Sequence, residues 1–475
     1  MTLPGFVRAG MLGTLLAAGA CAIGPDYHRP ELTTPSGFRE ADGWTAVTPL
    51  DTIDRGAWWS VYDDAQLDAL EREVNVSNQT VKAYEAQYEQ AQALVREARS
   101  QLFPSIGLAA GKTRSSGTSS GPGGGSGSGS STPTNLYELE ATASWTLDVW
   151  GSIRRQLESQ KAAAQVSAAD LANARLAAQA TLAADYFDLR AADGLEDLLT
   201  RSVAGYERTA QITADQYEFG TATRGDAMTA RAQLEATRAQ LIAVRQTRGQ
   251  FEHAIAVLTG HFPSELAIPH GPLAIEVPVV PAGVPSALLE RNPSIAAAER
   301  QLQADSALIG VAQAAYFPQI TLSGLAGYAS RTLGDLISAG NRVWSAELAA
   351  NGTLLDAGGR GGAVSAARAV YRQALANYRQ TVLTTFQSVE DQLLALHTLQ
   401  DQAVAAKNAV DAAEQAAAVA LDQYKAGTVA FTTVVVANQS YLADQQALLN
   451  VQQSRLVASV NLIAALGGGW QQPPP

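Results

Sequence analysis

The sequence predicts a mainly α, internally duplicated chain that also carries the strands of a membrane β-barrel. Three observations predict this. Short phrases recur in the same order in two halves of the chain, two long spans lack proline, and one segment alternates strictly between apolar and polar residues.

The duplication is read first, because a missed repeat misassigns the whole fold. Residues 216–221 read QYEFGT and residues 423–428 read QYKAGT. Ser100-Gln-Leu-Phe-Pro104 returns as Ala314-Ala-Tyr-Phe-Pro318, and Leu147-Asp148 before Gly151 returns as Leu355-Asp356 before Gly358. Ala256-Val-Leu-Thr-Gly260 returns as Ala464-Ala-Leu-Gly-Gly468. The offsets stay between 207 and 214 residues. Chance makes one such pair, not four in register. Six prolines crowd residues 262–285, which marks an extended linker between the halves. The predicted organisation is a signal peptide at 1–20, an extended N-terminal segment at 21–64 and a first repeat at 65–261. The linker follows at 262–285, then a second repeat at 286–468 and a tail at 469–475.

The helices follow from composition. No proline stands between Pro133 and Pro263, or between Pro318 and Pro473, and Ala, Leu, Gln, Glu and Arg dominate both spans. We expect long helices at 152–219 and 363–426, each on the order of 100 Å. Shorter partners are expected at 223–258 and 431–466, and each repeat opens with a further helix.

The strands follow from alternation. Residues 136–148 read LYELEATASWTLD, which puts Tyr137, Leu139, Ala141, Ala143, Trp145 and Leu147 on one face. Glu138, Glu140, Thr142, Ser144, Thr146 and Asp148 fall on the other. Period-two alternation of this length is that of an outer-membrane barrel strand. Further strands are expected at 105–111, 319–328 and 342–354, with Trp145, Tyr328 and Trp344 at membrane interfaces. Residues 115–131 contain only Ser, Gly, Thr and Pro and read as an outward loop. Four strands cannot close a barrel, and an open edge in lipid costs several kcal/mol per unpaired group. The barrel must be shared between chains. Two chains give eight strands and three give twelve; strand geometry alone leaves both open.

Composition excludes other classes. The balance of 33 basic to 45 acidic residues, a net charge of −12, argues against a nucleic-acid partner. One cysteine and five scattered histidines form no disulfide framework or metal-ligand pattern, so no cofactor is expected. The glycine run at 358–362 lacks the Lys-Ser/Thr of a phosphate loop, and no hydrolase motif is present. The chain is not expected to be an enzyme. At the N-terminus, Arg8, an apolar stretch at 11–18 and Ala18-Gly-Ala-Cys21 have the form of a signal peptide. Cys21 at the cleavage point resembles a lipobox cysteine, the site of lipidation.

The chain as a whole resembles the TolC-like outer-membrane efflux factors, and more closely their OprM/NodT-type lipoprotein branch. The residues that carry the resemblance are Cys21-Ala-Ile-Gly-Pro-Asp-Tyr-His-Arg-Pro30, Trp58-Trp59, both Phe-Pro junctions, Asp148-Val-Trp-Gly151 and the twin Tyr-x-x-Gly-Thr turns. The resemblance implies a homotrimer in the outer membrane. Its twelve-stranded β-barrel would continue into a twelve-helix periplasmic α-barrel with a mixed equatorial domain. It also implies the exit duct of a tripartite efflux system, working with a periplasmic adaptor (a membrane fusion protein) and an inner-membrane RND-type pump. Tyr217, Gly220, Thr221, Tyr424, Gly427 and Thr428 would form the periplasmic tip and meet the adaptor. Asp226 matches a family acidic position near the tip, and three copies around an axis would favour cations. The family's further aspartates correspond to Thr433 and Val436, so an apolar constriction near Val434 and Val436 is the alternative. Arg224 is a candidate for tip ion pairing, and Glu138 and Glu140 for the barrel lumen. Two other readings remain at this stage: a type I secretion duct, and a lipid-anchored coiled-coil scaffold.

Overall fold

A computed structural model describes residues 22–32, 35, 37–41, 57–116, 133–273, 275–278 and 291–468. The expected signal peptide, Cys21, most of the Ser/Gly loop, the end of the linker and the C-terminal tail lie outside the described residues. The chain forms two compact units, one of residues 1–30, 89–166 and 299–377 and the other of residues 31–88, 167–298 and 378–475.

Eleven helices and strands follow in chain order among the described residues. They are α1 (Ala65–Ser77), α2 (Gln79–Ser100), β1 (Ser105–Ser115), β2 (Thr134–Leu147), α3 (Ser152–Glu218) and α4 (Arg224–Leu258). The second half gives α5 (Pro293–Ala314), β3 (Gln319–Ser330), β4 (Arg342–Asn351), α6 (Gly359–Lys425) and α7 (Phe431–Ala465). The duplication extends to lengths: α3 and α6 both have 67 residues, and α4 and α7 both have 35. No described helix is long and apolar enough to cross a membrane.

Strand β1 runs on to Ser115 instead of 111 and β3 to Ser330 instead of 328, and two further bounds, on either side of Asp356, depart together. Strand β4 ends at Asn351, not 354, and α6 starts at Gly359, inside the glycine run. Asp356 forces the early start by accepting hydrogen bonds from the Arg360 backbone N–H (2.9 Å) and Nε (2.6 Å). Those bonds, backbone first, hold its carboxyl at about 2. Asp148 does the same for α3 in the first repeat, accepting from the backbone N–H groups of Ile153 and Arg154. A carboxylate at a helix N-terminus satisfies orphan donors and opposes the dipole.

The first unit holds an antiparallel meander of order β1-β2-β3-β4. Trp150 stacks on Phe317 at 4.8 Å and donates to the Pro318 carbonyl, joining the Asp-Val-Trp-Gly and Phe-Pro phrases. The strap 22–30 is bound to the same unit. Ile23 donates to the Trp150 carbonyl at 3.0 Å, Asp26 pairs with Arg155 at 2.7 Å, and Arg29 pairs with Glu299 at 3.2 Å.

In the second unit the core comprises Leu67, Leu182, Tyr186, Phe187, Leu189, Ile255, Ile295 and Leu456, all fully buried. Trp58 and Trp59 close it, each 3 % exposed, with their indole N–H groups donating to Gln179 and Asp68. The repeats share a device here. Asn78 caps α2 and donates to the Leu258 carbonyl at 2.8 Å; Asn292 caps α5 and donates to the Ala465 carbonyl at 3.0 Å. Each asparagine ties the start of one helix to the end of another in its own repeat.

Candidate functional site

Two surfaces carry the sequence-predicted residues, one in each unit. The first is the sheet. Its register puts Ile106, Leu108, Tyr137, Leu139, Ala141, Trp145, Tyr328, Leu322, Trp344 and Leu348 on one face. The other face carries Ser105, Thr142, Ser144, Ser323, Glu138, Glu140 and Glu347. The apolar face is exposed in the single chain: Ile106 is 82 % and Trp344 80 % accessible. The polar face borders a cavity of about 990 Å³ lined by Ser105, Ser144, Thr146, Asp148, Gln319 and Asn351. Glu138 and Glu140 thus share a face, and Glu347 joins them. Sequence reading missed Glu347 because the alternation of β4 is masked by alanines on both faces.

The second surface is the pair of helix reversals. Gly220 has φ +76° and Gly427 φ +74°, conformations that glycine adopts without a Cβ penalty. In the first turn, Thr221 N–H donates to the Gln216 carbonyl at 2.8 Å and Gly220 N–H to the Tyr217 carbonyl at 3.0 Å. The second turn repeats this, with Thr428 to Gln423 at 3.0 Å and Gly427 to Tyr424 at 2.9 Å. This is the Schellman pattern. The threonine adds a bond of its own: Thr221 Oγ1 and Thr428 Oγ1 donate to the same glutamine carbonyls at 3.0 and 2.9 Å. Each letter of the Gly-Thr pair therefore has a local cause. Gly220→Ala and Gly427→Ala are each expected to cost about 1 kcal/mol, because an L-residue is strained at positive φ. Thermal melts of the purified protein check this.

The two phrases also meet. Tyr424 OH donates to Gln216 Oε1 at 3.2 Å, and its ring lies 5.3 Å from that of Phe431. Burial first, and then the nearby Asp226 carboxylate, raise the Tyr424 phenol above its ordinary range. Tyr217 is 46 % and Phe219 84 % accessible at the turn surface. Asp226 is the third helical residue of α4 and completes a capping box: Thr223 Oγ1 accepts from Asp226 N–H, and Asp226 Oδ2 accepts from Thr223 N–H and Oγ1. Arg224 opens α4 and makes no described ion pair. Val434 and Val436 separate. Val434 is 3 % exposed, packed with Ala230, Ala420 and Phe431, whereas Val436 is 60 % exposed. A cavity of about 490 Å³ lies beside the turns, bordered by Tyr206, Gln216, Tyr424, Phe431 and Tyr441. No described group of His, Cys, Asp and Glu could hold a metal ion.

Comparison with known proteins matches this architecture. The family model for outer membrane efflux proteins covers residues 70–261 and 284–468. The chain is 29 % identical to the probable efflux pump outer membrane protein TtgC of Pseudomonas putida, over 97 % of this chain and 95 % of that one. It is 26 % identical to the probable outer membrane lipoprotein SilC of Salmonella typhimurium, over 96 % and 97 %. The solved outer-membrane channel OprN superposes with a TM-score of 0.87 at 29 % identity, covering 95 % of this chain and all of that one. The chain belongs to the outer membrane efflux protein family, as a channel component of the outer membrane and not an enzyme.

Proposed function

We propose that three copies of the chain close one twelve-stranded barrel and form the exit duct of a tripartite efflux pump. The observation that carries this reading is the two-faced meander. Its outer strands, β1 and β4, each pair on one side only, and its apolar face is exposed. Such edges in lipid require partners, and twelve strands leave room for a channel where eight are filled by side chains. Small organic compounds are the proposed cargo, since two relatives from Pseudomonas putida are named antibiotic and toluene efflux pump proteins. The wide duct adds little selectivity of its own.

The exposed turn residues Tyr217 and Phe219, with Thr221 and Thr428 shaping the backbone, present the proposed docking surface for a periplasmic adaptor. That adaptor links the duct to an RND-type inner-membrane pump. Asp226 and Val436 are the proposed constriction residues, while Val434 is buried within the protomer. A lipid on Cys21 would lie one residue before the strap that Trp150 holds at the base of β2, which agrees with a membrane-boundary anchor and with the lipoprotein name of SilC.

Reconstitution of the full chain in planar bilayers tests the proposal. Stepwise conductance with a preference for cations is expected, because Glu138, Glu140 and Glu347 repeat around the lumen. Neutralising all three with Glu138→Gln, Glu140→Gln and Glu347→Gln is expected to move the reversal potential under a salt gradient toward zero. A chain that inserts no conducting unit contradicts the duct.

A further inference from the structure

The six charged side chains of the described strands are sorted by face. Glu138, Glu140 and Glu347 lie on the polar face, and Lys112, Arg114 and Arg342 on the apolar one. A cation on a lipid-facing surface is costly at the bilayer centre and tolerated near the interface. All three cations sit at the loop end of the sheet. Arg114 pairs with Asn135, Lys112 with Tyr137 and Arg342 with Tyr328, in three successive rows of that face. Lys112 Nζ lies 5.3 Å from the centre of the Tyr137 ring.

The chain offers these cations little counter-charge. No described carboxylate pairs with any of them. The first loop, residues 115–131, contains no acid. The second, residues 331–341, contains only Asp335, which accepts a hydrogen bond from Thr332 Oγ1. Within one chain, Arg342 on β4 and the pair on β1 stand at opposite edges, about 14 Å apart across the strand spacing. Closing the barrel sets β4 of one copy beside β1 of the next, which gathers the three cations at each seam.

We propose that Lys112, Arg114 and Arg342 bind the phosphate groups of a phosphorylated, multiply acylated glycolipid in the outer leaflet, at the seam between copies. The acyl chains would lie on the exposed apolar band below, and the contact would fix the depth of the barrel. Basic clusters at a membrane surface recognise anionic headgroups in this way. The proposal rests on the shared-barrel reading above.

The test uses the full-length protein in phosphatidylcholine vesicles that contain either bisphosphorylated lipid A or the same lipid stripped of both phosphates. Insertion is scored first by conductance. The protein is then re-extracted and washed, and the lipid A recovered with it is quantified. The wild type is expected to retain the phosphorylated form in at least about fivefold excess, since one basic side chain near a membrane surface changes binding by about that factor. Lys112→Gln, Arg114→Gln and Arg342→Gln together are expected to abolish the excess, and the three lumen Glu→Gln changes to leave it intact. Equal retention of both lipids by inserted wild type overturns this proposal and leaves the barrel standing. Failure to insert overturns both. An equal loss in the lumen variant marks a bulk charge effect and also overturns it. Should the basic variant fail to fold, the wild-type comparison alone decides.

Discussion

Asp193→Ala is expected to destabilise the folded chain by about 3–5 kcal/mol, the cost of leaving buried charges without their partner. Asp193 is fully buried on α3 and accepts from Arg190 Nη1 at 3.0 Å, Arg248 Nε at 2.6 Å and the Gly271 N–H at 3.1 Å. The two arginines hold the linker as well. Arg190 donates to the Pro269 carbonyl and Arg248 to the Ile268 carbonyl, both at 2.7 Å. Glu252 completes the clamp by accepting from Ile268 N–H. Asp193 thus bridges two guanidinium groups, Glu252 supplies a second carboxylate to Arg248 at 3.1 Å, and the cluster fixes residues 268–271, which have no ladder of their own to satisfy their backbone. Removing Asp193 leaves Arg190 without its carboxylate partner, Arg248 with Glu252 alone, and loosens the linker. Thermal melting in detergent, together with limited proteolysis, checks this. A lower transition and new cleavage within 262–285 are expected. A change below about 1 kcal/mol would place the variant among ordinary surface substitutions and contradict the clamp.

Glu71→Met is expected to act in the opposite direction and stabilise by about 3 kcal/mol at pH 7. Glu71 is fully buried on α1, and neither carboxyl oxygen has a hydrogen-bond partner in the chain. Burial pushes its carboxyl up to about 9. The folded state therefore holds a proton that the unfolded state releases in the ordinary glutamate range. The associated stability is fully present below about pH 4.5 and is lost as pH rises toward 9. At pH 7, about 2.5 pH units above the ordinary value of 4.5, the penalty is roughly 3 kcal/mol at 1.36 kcal/mol per unit. Methionine removes both the proton linkage and the unpartnered polar group at similar volume. Melting curves between pH 5 and 9 should show the wild type losing stability as pH rises and the variant changing less. Parallel curves would contradict the assignment.

How much of this was legible depended on the range of the interaction. Gly220 and Gly427 were readable because a helix reversal imposes its requirement on one residue, and the Schellman bonds close within six. The strand β2 was readable because polarity alternates at every step from Tyr137 to Leu147. The start of α6 was misread, because a glycine run suggests a loop until Asp356 is seen to cap it. Val434 and Val436 were grouped by apolar type; which of them is buried depends on Ala420 on the preceding helix and on Ala230 in the other repeat. The Asn78 and Asn292 ties were available as a further repeat pair, 214 residues apart, but asparagine before a helix is too common a cap to stand out. The clamp around Asp193 joins α3, α4 and the linker, and no local pattern announces such a site.

The central claim is a barrel shared between chains, and the mass of the detergent-extracted protein tests it most directly. Light scattering corrected for bound detergent is expected to give three chains per particle. One chain per particle, or a species that stays soluble without detergent, would contradict the account.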